Sequence, residues 1–163
     1  MIYIIGSLRN PEIPKLANLL RKEGHEIFDD WASTHEAADE MWRLYEINRG
    51  RTYLQALRGE AAKNIFQFDK KHLDAAEAVV LVAPAGRSGH LELGYSLGRG
   101  KRGYILLQDS DRWDVMLQFA TGIFDNEGDL IYELKDLLGS AMGPQRTSES
   151  SSWADRRSGT RDY

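Results

Sequence analysis

The sequence predicts an α/β fold: a single-domain, open, mostly parallel five-stranded sheet flanked by helices, of flavodoxin- or Rossmann-like type. Three observations carry this. At the start, a short apolar run ("IYIIG", residues 2–6), a helical pattern and a second run ("HEIFDDW", 25–31) follow one another, which is a β-α-β unit. A later run, "EAVVLVAP" (77–84), is apolar without alternation, as in a strand buried on both faces of a parallel sheet. At 163 residues and 42% hydrophobic content, the chain has room for one well-buried core and one domain.

The elements can be justified in order. "NPEIPKLANLLRKEG" (10–24) reads as the first helix. Asn10 suits an N-cap and Pro11 the first helical position, while Ile13, Leu16, Leu19 and Leu20 share one face and Gly24 closes the end. Residues 33–49 are acidic with scattered aromatics and fit either a helix or an ordered loop. From Arg51 to Ala75 the period is helical, with Leu54, Leu57, Ala61, Ile65, Phe68 and His72 near one stripe. The third strand follows, then a helix over about residues 89–98. "RGYILLQ" (102–108) is a fourth strand, and Ser110 or Asp111 is positioned to cap a helix over "RWDVMLQFA" (112–120). "GIF" (122–124) gives a short fifth strand and "GDLIYELKDLL" (128–138) a last helix.

The domain is therefore expected to span residues 1–138, with no internal repeat and no second domain. Residues 139–163 are rich in serine, arginine and glycine and lack periodicity, the composition of a disordered tail. Trp153 and Tyr163 are large aromatics to leave in water, and they suit docking on a neighbouring subunit.

Composition also excludes classes of function. The formal net charge is −4 and the 21 basic residues are scattered, which argues against a nucleic-acid partner gripped through many phosphates. No apolar run approaches the ~20 residues of a spanning helix, so no membrane association is expected. The N-terminus has no basic leader or cleavage pattern, and there is no cysteine for a disulfide, so the expected location is cytoplasmic. No cluster of His, Asp and Glu has metal-ligand spacing.

In an open parallel sheet, ligands gather beyond the carboxyl ends of the strands. After the first strand stand Gly6, Ser7 and Arg9; after the second, Asp29, Asp30 and Trp31; after the third, Gly86, Arg87, Ser88, Gly89, His90 and Glu92. Glycines there permit close backbone approach, and a helix N-terminus at Ser88–Gly89 favours an anion. Each residue also has a plain explanation. Glu92 in a first helical turn complements the helix dipole, Ser88 serves as N-cap, and Gly86 and Gly89 make the turn. Arg9 and Arg87 fit solvated surface charges, Asp30 a turn residue, Trp31 core, and His72 and His90 structural roles. Asp69, beside an apolar stripe, needs a partner or a task if it is buried. Two motifs fail: "GYSLGRGKR" has the wrong spacing for a P-loop, and "GYSLGRG" ends a helix instead of opening one.

"IYIIGSLRN", "FDKKHLDAAEAVVLVAP" and "GHLELGYSLGRGK" together resemble the nucleoside 2-deoxyribosyltransferase family, which includes 2'-deoxynucleoside 5'-phosphate N-hydrolases and related nucleotide N-glycosidases. The resemblance runs from Met1 to about Leu138, and the hydrolase pattern "YxxGSxR" matches Tyr3, Gly6, Ser7 and Arg9. It implies Glu92, of the "ELG" motif, as a glycosyl-accepting nucleophile. It implies Asp69 as the group that handles protons and orients the nucleoside, and Tyr3 as the residue that positions the nucleophile. It further implies that Ser7, Ser88 and the Gly6 turn, with Arg9 nearby, hold a 5'-phosphate. Asp30 and Trp31 are candidates for base contact by position, and Gly86 and Gly89 for close approach. The implied partner is a small-molecule nucleoside or nucleotide, with no cofactor and no metal, in a homodimer or higher homo-oligomer. The loop "PAGRSGH" lacks an aspartate that transferases often carry, and residues 33–50 align to neither branch, so the acceptor, base or water, stays open.

The implied chemistry is cleavage of an N-glycosidic bond through a covalent glycosyl-glutamate, giving transfer to a second base or hydrolysis. Two other classes remain. One is a non-catalytic nucleotide-binding or sensing module, which binds without releasing base. The other is an assembly protein on the same fold, whose melting temperature ignores nucleotides.

Overall fold

The computed structural model describes residues 1–33, 37–108 and 113–140. The helix cap expected at Ser110 or Asp111, and the tail from residue 141 onward with Trp153 and Tyr163, lie outside the described residues. Five strands form one sheet: β1 (Ile2–Ile5), β2 (Ile27–Phe28), β3 (Ala78–Val82), β4 (Arg102–Leu106) and β5 (Gly122–Phe124). Their order is β2-β1-β3-β4-β5, and every pairing is parallel. The connections leave β1 and β3 in opposite directions, so the switch of the sheet falls between those two strands.

Period-two alternation on the buried strands sends residues to two apolar layers. Ile2, Ile4, Val80, Val82, Tyr104 and Leu106 face one side, where α1 (Glu12–Lys22) and α6 (Glu127–Ser140) cover them through Ile13, Leu16, Leu20, Leu130 and Leu134. Tyr3, Ile5, Val79, Leu81 and Ile105 face the other, where α4 (Glu60–Ala75) and α5 (Arg87–Gly98) bring Leu73 and Leu93. Among the described residues, no helix is long and apolar enough to cross a membrane.

Local chemistry explains the helix ends. α1 starts one residue later than its sequence predicts, with Pro11 as N-cap and the Asn10 side chain accepting from the Glu12 amide at 3.0 Å. It ends at Gly24 (φ 97°), where the His25 amide reaches back to Leu20 and the Gly24 amide to Arg21, a Schellman closure. The acidic segment forms a helix, α2 (Ala38–Asn48). The single helix expected over 51–75 is two. Thr52 and Gln55 form a reciprocal capping box that starts α3 (Tyr53–Leu57), and Gly59, in an extended conformation, breaks the run before α4. The expected apolar stripe is therefore split, and Leu54, Leu57, Ile65 and Phe68 stand exposed. The helix expected over 112–120 is a short 3-10 turn, Val115–Phe119, whose start is capped by the Asp114 carboxylate.

β2 is shorter than "HEIFDDW" suggests. It stops at Phe28 and passes into a 3-10 turn, Asp30–Ser33. Beyond Phe28 no backbone donor of β2 continues the ladder on that side of β1. The Trp31 indole N–H takes over, donating to the Ile4 carbonyl at 2.7 Å, while its ring packs against both apolar layers.

Two glycines let α5 lie close on the sheet. A Cβ at Gly89 would come within 2.9 Å of Ile5 Cγ2, and one on Gly103 of β4 within 2.8 Å of both Leu93 and Leu97. Gly89→Ala is expected to cost about 1–3 kcal/mol by overpacking. Chemical denaturation measures it, and an unchanged midpoint would show that the contact has slack.

Candidate active site

β1, α4 and α5 bring Tyr3, Asp69 and Glu92 together. Tyr3 lies on the fully buried β1 and is 1% exposed. Asp69 is half-buried in the middle of α4, and Glu92 is half-buried in α5. The three lie on the sheet face that α4 and α5 cover, beside the β1–β3 switch.

Their electrostatics show how closely they share this space. Burial, and then the Asp69 charge, push the Glu92 carboxyl up to about 7, from an ordinary value of 4.5. Burial also raises Asp69, with His72 one turn on partly offsetting it. The Tyr3 hydroxyl is pushed up by burial and then by the charges of Glu92 and Asp69. Neither carboxylate has a hydrogen bond or ion pair among the described residues, and Tyr3 does not donate to Glu92. Two unpaired carboxylates on one apolar face are costly to fold and are typical of sites that do chemistry.

Glu92 also departs from its plain explanation. α5 begins at Arg87 with Gly86 as N-cap, so Glu92 stands in the second turn and no acidic residue lies in the first. Complementing the helix dipole, an effect confined to the first turn, does not account for it. Ser88 is likewise not the N-cap; it is the second residue of the helix and is exposed. No side chain caps this N-terminus, so its first-turn amides point outward unpartnered by a cap. The His90 ring donates from Nδ1 to the Gly86 carbonyl at 2.9 Å.

The other expected residues fall around this centre to differing degrees. Gly6 is tight, since a Cβ there would lie 2.2 Å from Ile13 Cδ1. Ser7 is half-buried in the turn after β1, and its hydroxyl accepts from the Arg9 amide at 3.3 Å. The Arg9 and Arg87 side chains are exposed, with no ion pair among the described residues. Asp30 is exposed in its turn, where its carbonyl accepts from Ser33 Oγ at 2.6 Å. The neighbouring Asp29 is held by Arg21. Trp31 commits its indole N–H to Ile4.

Sequence reasoning missed an aromatic wall beside the carboxylates. Tyr3 stacks on Phe28 at 5.0 Å, Phe28 on His72 at 3.9 Å, and Phe68 tilts against His72 at 4.6 Å. His72 Nδ1 lies 2.8 Å from the Phe68 carbonyl. A carbonyl only accepts, so Nδ1 carries a hydrogen. The available signal was spacing, because His72 follows Asp69 by one helical turn. A separate cavity of about 690 Å³ lies at the other half of the sheet's carboxyl edge, lined by Leu107, Trp113, Leu117 and Ile123, away from all three groups.

No family model matches the sequence, and no curated protein matches it. Among solved structures, the Clostridium botulinum CMP N-glycosidase BcmB superposes with a TM-score of 0.50 at 12% identity, covering 83% of this chain and 99% of that one. The two chains share a fold. At that identity the likeness carries no residue-level role across.

The Glu92 environment has a consequence for stability. Its folded value lies above its ordinary one, so the carboxyl costs nothing below about pH 4.5 and destabilises progressively as pH rises to about 7. Glu92→Gln should therefore raise stability at pH 8 by on the order of 1–3 kcal/mol, with the gain vanishing near pH 4.5. Paired denaturation curves at the two pH values test this, and a pH-independent difference would mean that Glu92 is well solvated.

Proposed function

We propose that this protein cleaves the N-glycosidic bond of a (deoxy)nucleoside or nucleoside 5'-monophosphate through a covalent glycosyl-glutamate, passing the sugar to water or to another base. The observation that carries the proposal is the half-buried pair Asp69–Glu92, without an ion pair among the described residues, against Tyr3 at the β1–β3 switch. The fold shared with a CMP N-glycosidase and the resemblance of the Tyr3, Asp69 and Glu92 motifs to nucleoside 2-deoxyribosyltransferases point the same way.

In the first step the C1'–N bond breaks and its electron pair leaves with the base, which takes a proton from Asp69. Positive charge grows on C1' and the ring oxygen, and a Glu92 oxygen bonds to C1' from the opposite face. In the second step water or a second base attacks C1' and gives up a proton to the Asp69 carboxylate, the glutamate leaves as carboxylate, and configuration is retained. Tyr3 positions Glu92, and a misplacement of about 1 Å would cost ~100-fold.

Burial and the Asp69 charge keep a proton on the Glu92 carboxyl up to about pH 7. Electrostatics favour that proton on Glu92, whereas the reaction needs it on Asp69. The developing sugar cation drives the exchange, since it stabilises the negative charge directly beneath C1'. kcat/KM should accordingly fall above about pH 7 as the proton is lost, and fall again in acid as a second proton binds. A rate still climbing beyond pH 8 would show that no carboxylic acid takes part.

Ser7, Ser88, Arg9 and the uncapped α5 N-terminus are the groups assigned to a 5'-phosphate, with Gly86 open for backbone approach, whereas the bare sides of Gly6 and Gly89 face Ile13 and Ile5 and serve packing. The exposed Ile65 and Phe66 of α4 support an assembly of two or more copies. Glu92→Ala should abolish release of free base, followed by chromatography, while leaving the circular dichroism spectrum unchanged. Wild-type turnover by that variant would remove the mechanism. Deoxynucleotides should exceed the matching nucleosides in kcat/KM, and the reverse preference would remove the phosphate site.

A further inference from the structure

At their C-terminal ends α4 and α5 are joined by a polar cluster that touches neither Asp69 nor Glu92. The Tyr95 hydroxyl of α5 donates to Asp74 Oδ1 of α4 at 2.5 Å. Lys70 Nζ lies 2.5 Å from Asp74 Oδ2, and Arg99 Nε lies 3.6 Å from Oδ1. The ring of Tyr95 carries both cations, with Lys70 5.4 Å and Arg99 5.5 Å from its centroid. Lys101, just past α5, donates its three ammonium hydrogens to the carbonyls of Leu73, Asp74 and Ala76, at 2.5, 2.7 and 2.6 Å. These carbonyls belong to the end of α4, which has no further helical donors for them. Lys101 thus caps one helix from the end of the other.

The geometry points to Tyr95 and Asp74 as positioning residues that set the distance between Asp69 and Glu92. α4 enters β3 and α5 leaves it, so the two helices run in the same direction on one sheet face, with both C-termini at the same edge. Asp69 lies five residues above Asp74 on α4, and Glu92 three residues above Tyr95 on α5. A join at that edge fixes the gap one to one-and-a-half turns higher, where the carboxylates meet. The groups facing Glu92 are Asp69 and Tyr3, and neither belongs to the clasp. Within the clasp, Asp74 stays ionised through neutral pH, since the hydrogen bonds from Lys70 and Tyr95 hold it down at about 2.

The role assigned to the gap rests on the N-glycosidase reading, but the gap itself is measurable without it. In Tyr95→Phe the ring stays over Lys70 and Arg99 while the hydroxyl that grips Asp74 is gone. Asp74→Asn retains an oxygen to accept from Tyr95 and serves as the conservative partner. The Glu92 carboxyl carbon is followed by NMR from pH 4 to 9 in unliganded wild-type protein and both variants, alongside kcat and KM. Expected are a wild-type midpoint near 7, a fall by a unit or more in Tyr95→Phe as the pair separates and water enters, and a near-wild-type midpoint in Asp74→Asn. kcat should drop about 10-fold or more in Tyr95→Phe with little change in KM. An unmoved Glu92 midpoint in Tyr95→Phe, whatever its melting temperature, overturns the positioning role. If the midpoint moves as expected but wild-type protein releases no base from any nucleotide, the positioning stands and the N-glycosidase reading falls.

Discussion

The close approach of α5 to the sheet is the constraint on which the site depends. Gly89 lies against Ile5 and Gly103 lies under Leu93 and Leu97, so the helix sits nearer the strands than any side chain at those positions would allow. Glu92 is carried with it onto an apolar face, beside a second carboxylate and a buried phenol. Desolvation is the larger part of what raises Glu92, and the Asp69 charge adds to it. Packing thus sets the protonation of the pair, and the clasp at the far end of the two helices keeps that packing in register.

A buried carboxylate can be accommodated differently, and this chain does so elsewhere. Glu46 on α2 is 2% exposed, and one of its oxygens meets Arg51 at 3.0 Å. Arg51 in turn lies against Gly59, at the break before α4. There a cation is supplied and the carboxylate ties α2 to the next segment. At Glu92 no ion-pair partner is supplied among the described residues, although Lys70 lies on α4 and Arg99 and Lys101 just past α5, engaged lower down with Asp74 and the end of α4. Placing the positive charges below the pair and leaving the pair itself unneutralised costs stability, the relation expected between the proposed reactive site and the fold that holds it.

The sheet was legible in the sequence because its signals are local. β1, β3, β4 and β5 come from short runs of β-branched and large apolar residues, and the β-α-β start from one helix between two such runs. Tyr3, Asp69 and Glu92 were legible as candidates through their motifs, but their meeting was not, since it depends on how α4 and α5 settle on β1. Helix ends were misplaced wherever a cap outvoted periodicity. The Thr52–Gln55 box and Gly59 cut one expected helix into two, and Gly86 started α5 two residues early, which moved Glu92 from the first turn to the second. The aromatic wall was invisible because Phe28 and His72 are 44 positions apart in the chain and meet only when α4 crosses behind β2. Trp31 could be read as ligand contact or as packing until the shortness of β2 left the Ile4 carbonyl for its indole to satisfy.

Shared topology and chemistry carry different weight here. A parallel sheet in the order 2-1-3-4-5 hosts many unrelated activities, and a superposition at 12% identity can persist through apolar patterning alone, because any set of Ile, Val and Leu of similar volume fills the two layers. The chain's departures from that patterning are more telling. At Tyr3 the buried strand carries a phenol where Ile2, Ile4 and Ile5 show that a plain aliphatic side chain packs fully. At Glu92 a helix facing the core through Gly89, Leu93 and Ser96 turns a carboxylate toward the same seam. Neither residue helps the fold, and the Glu92 charge adds to the burial that disfavours an ionised Tyr3. A sheet face that gathers acidic groups where they are poorly solvated is what the proposed chemistry asks for, because the sugar it would act on becomes positive as it reacts.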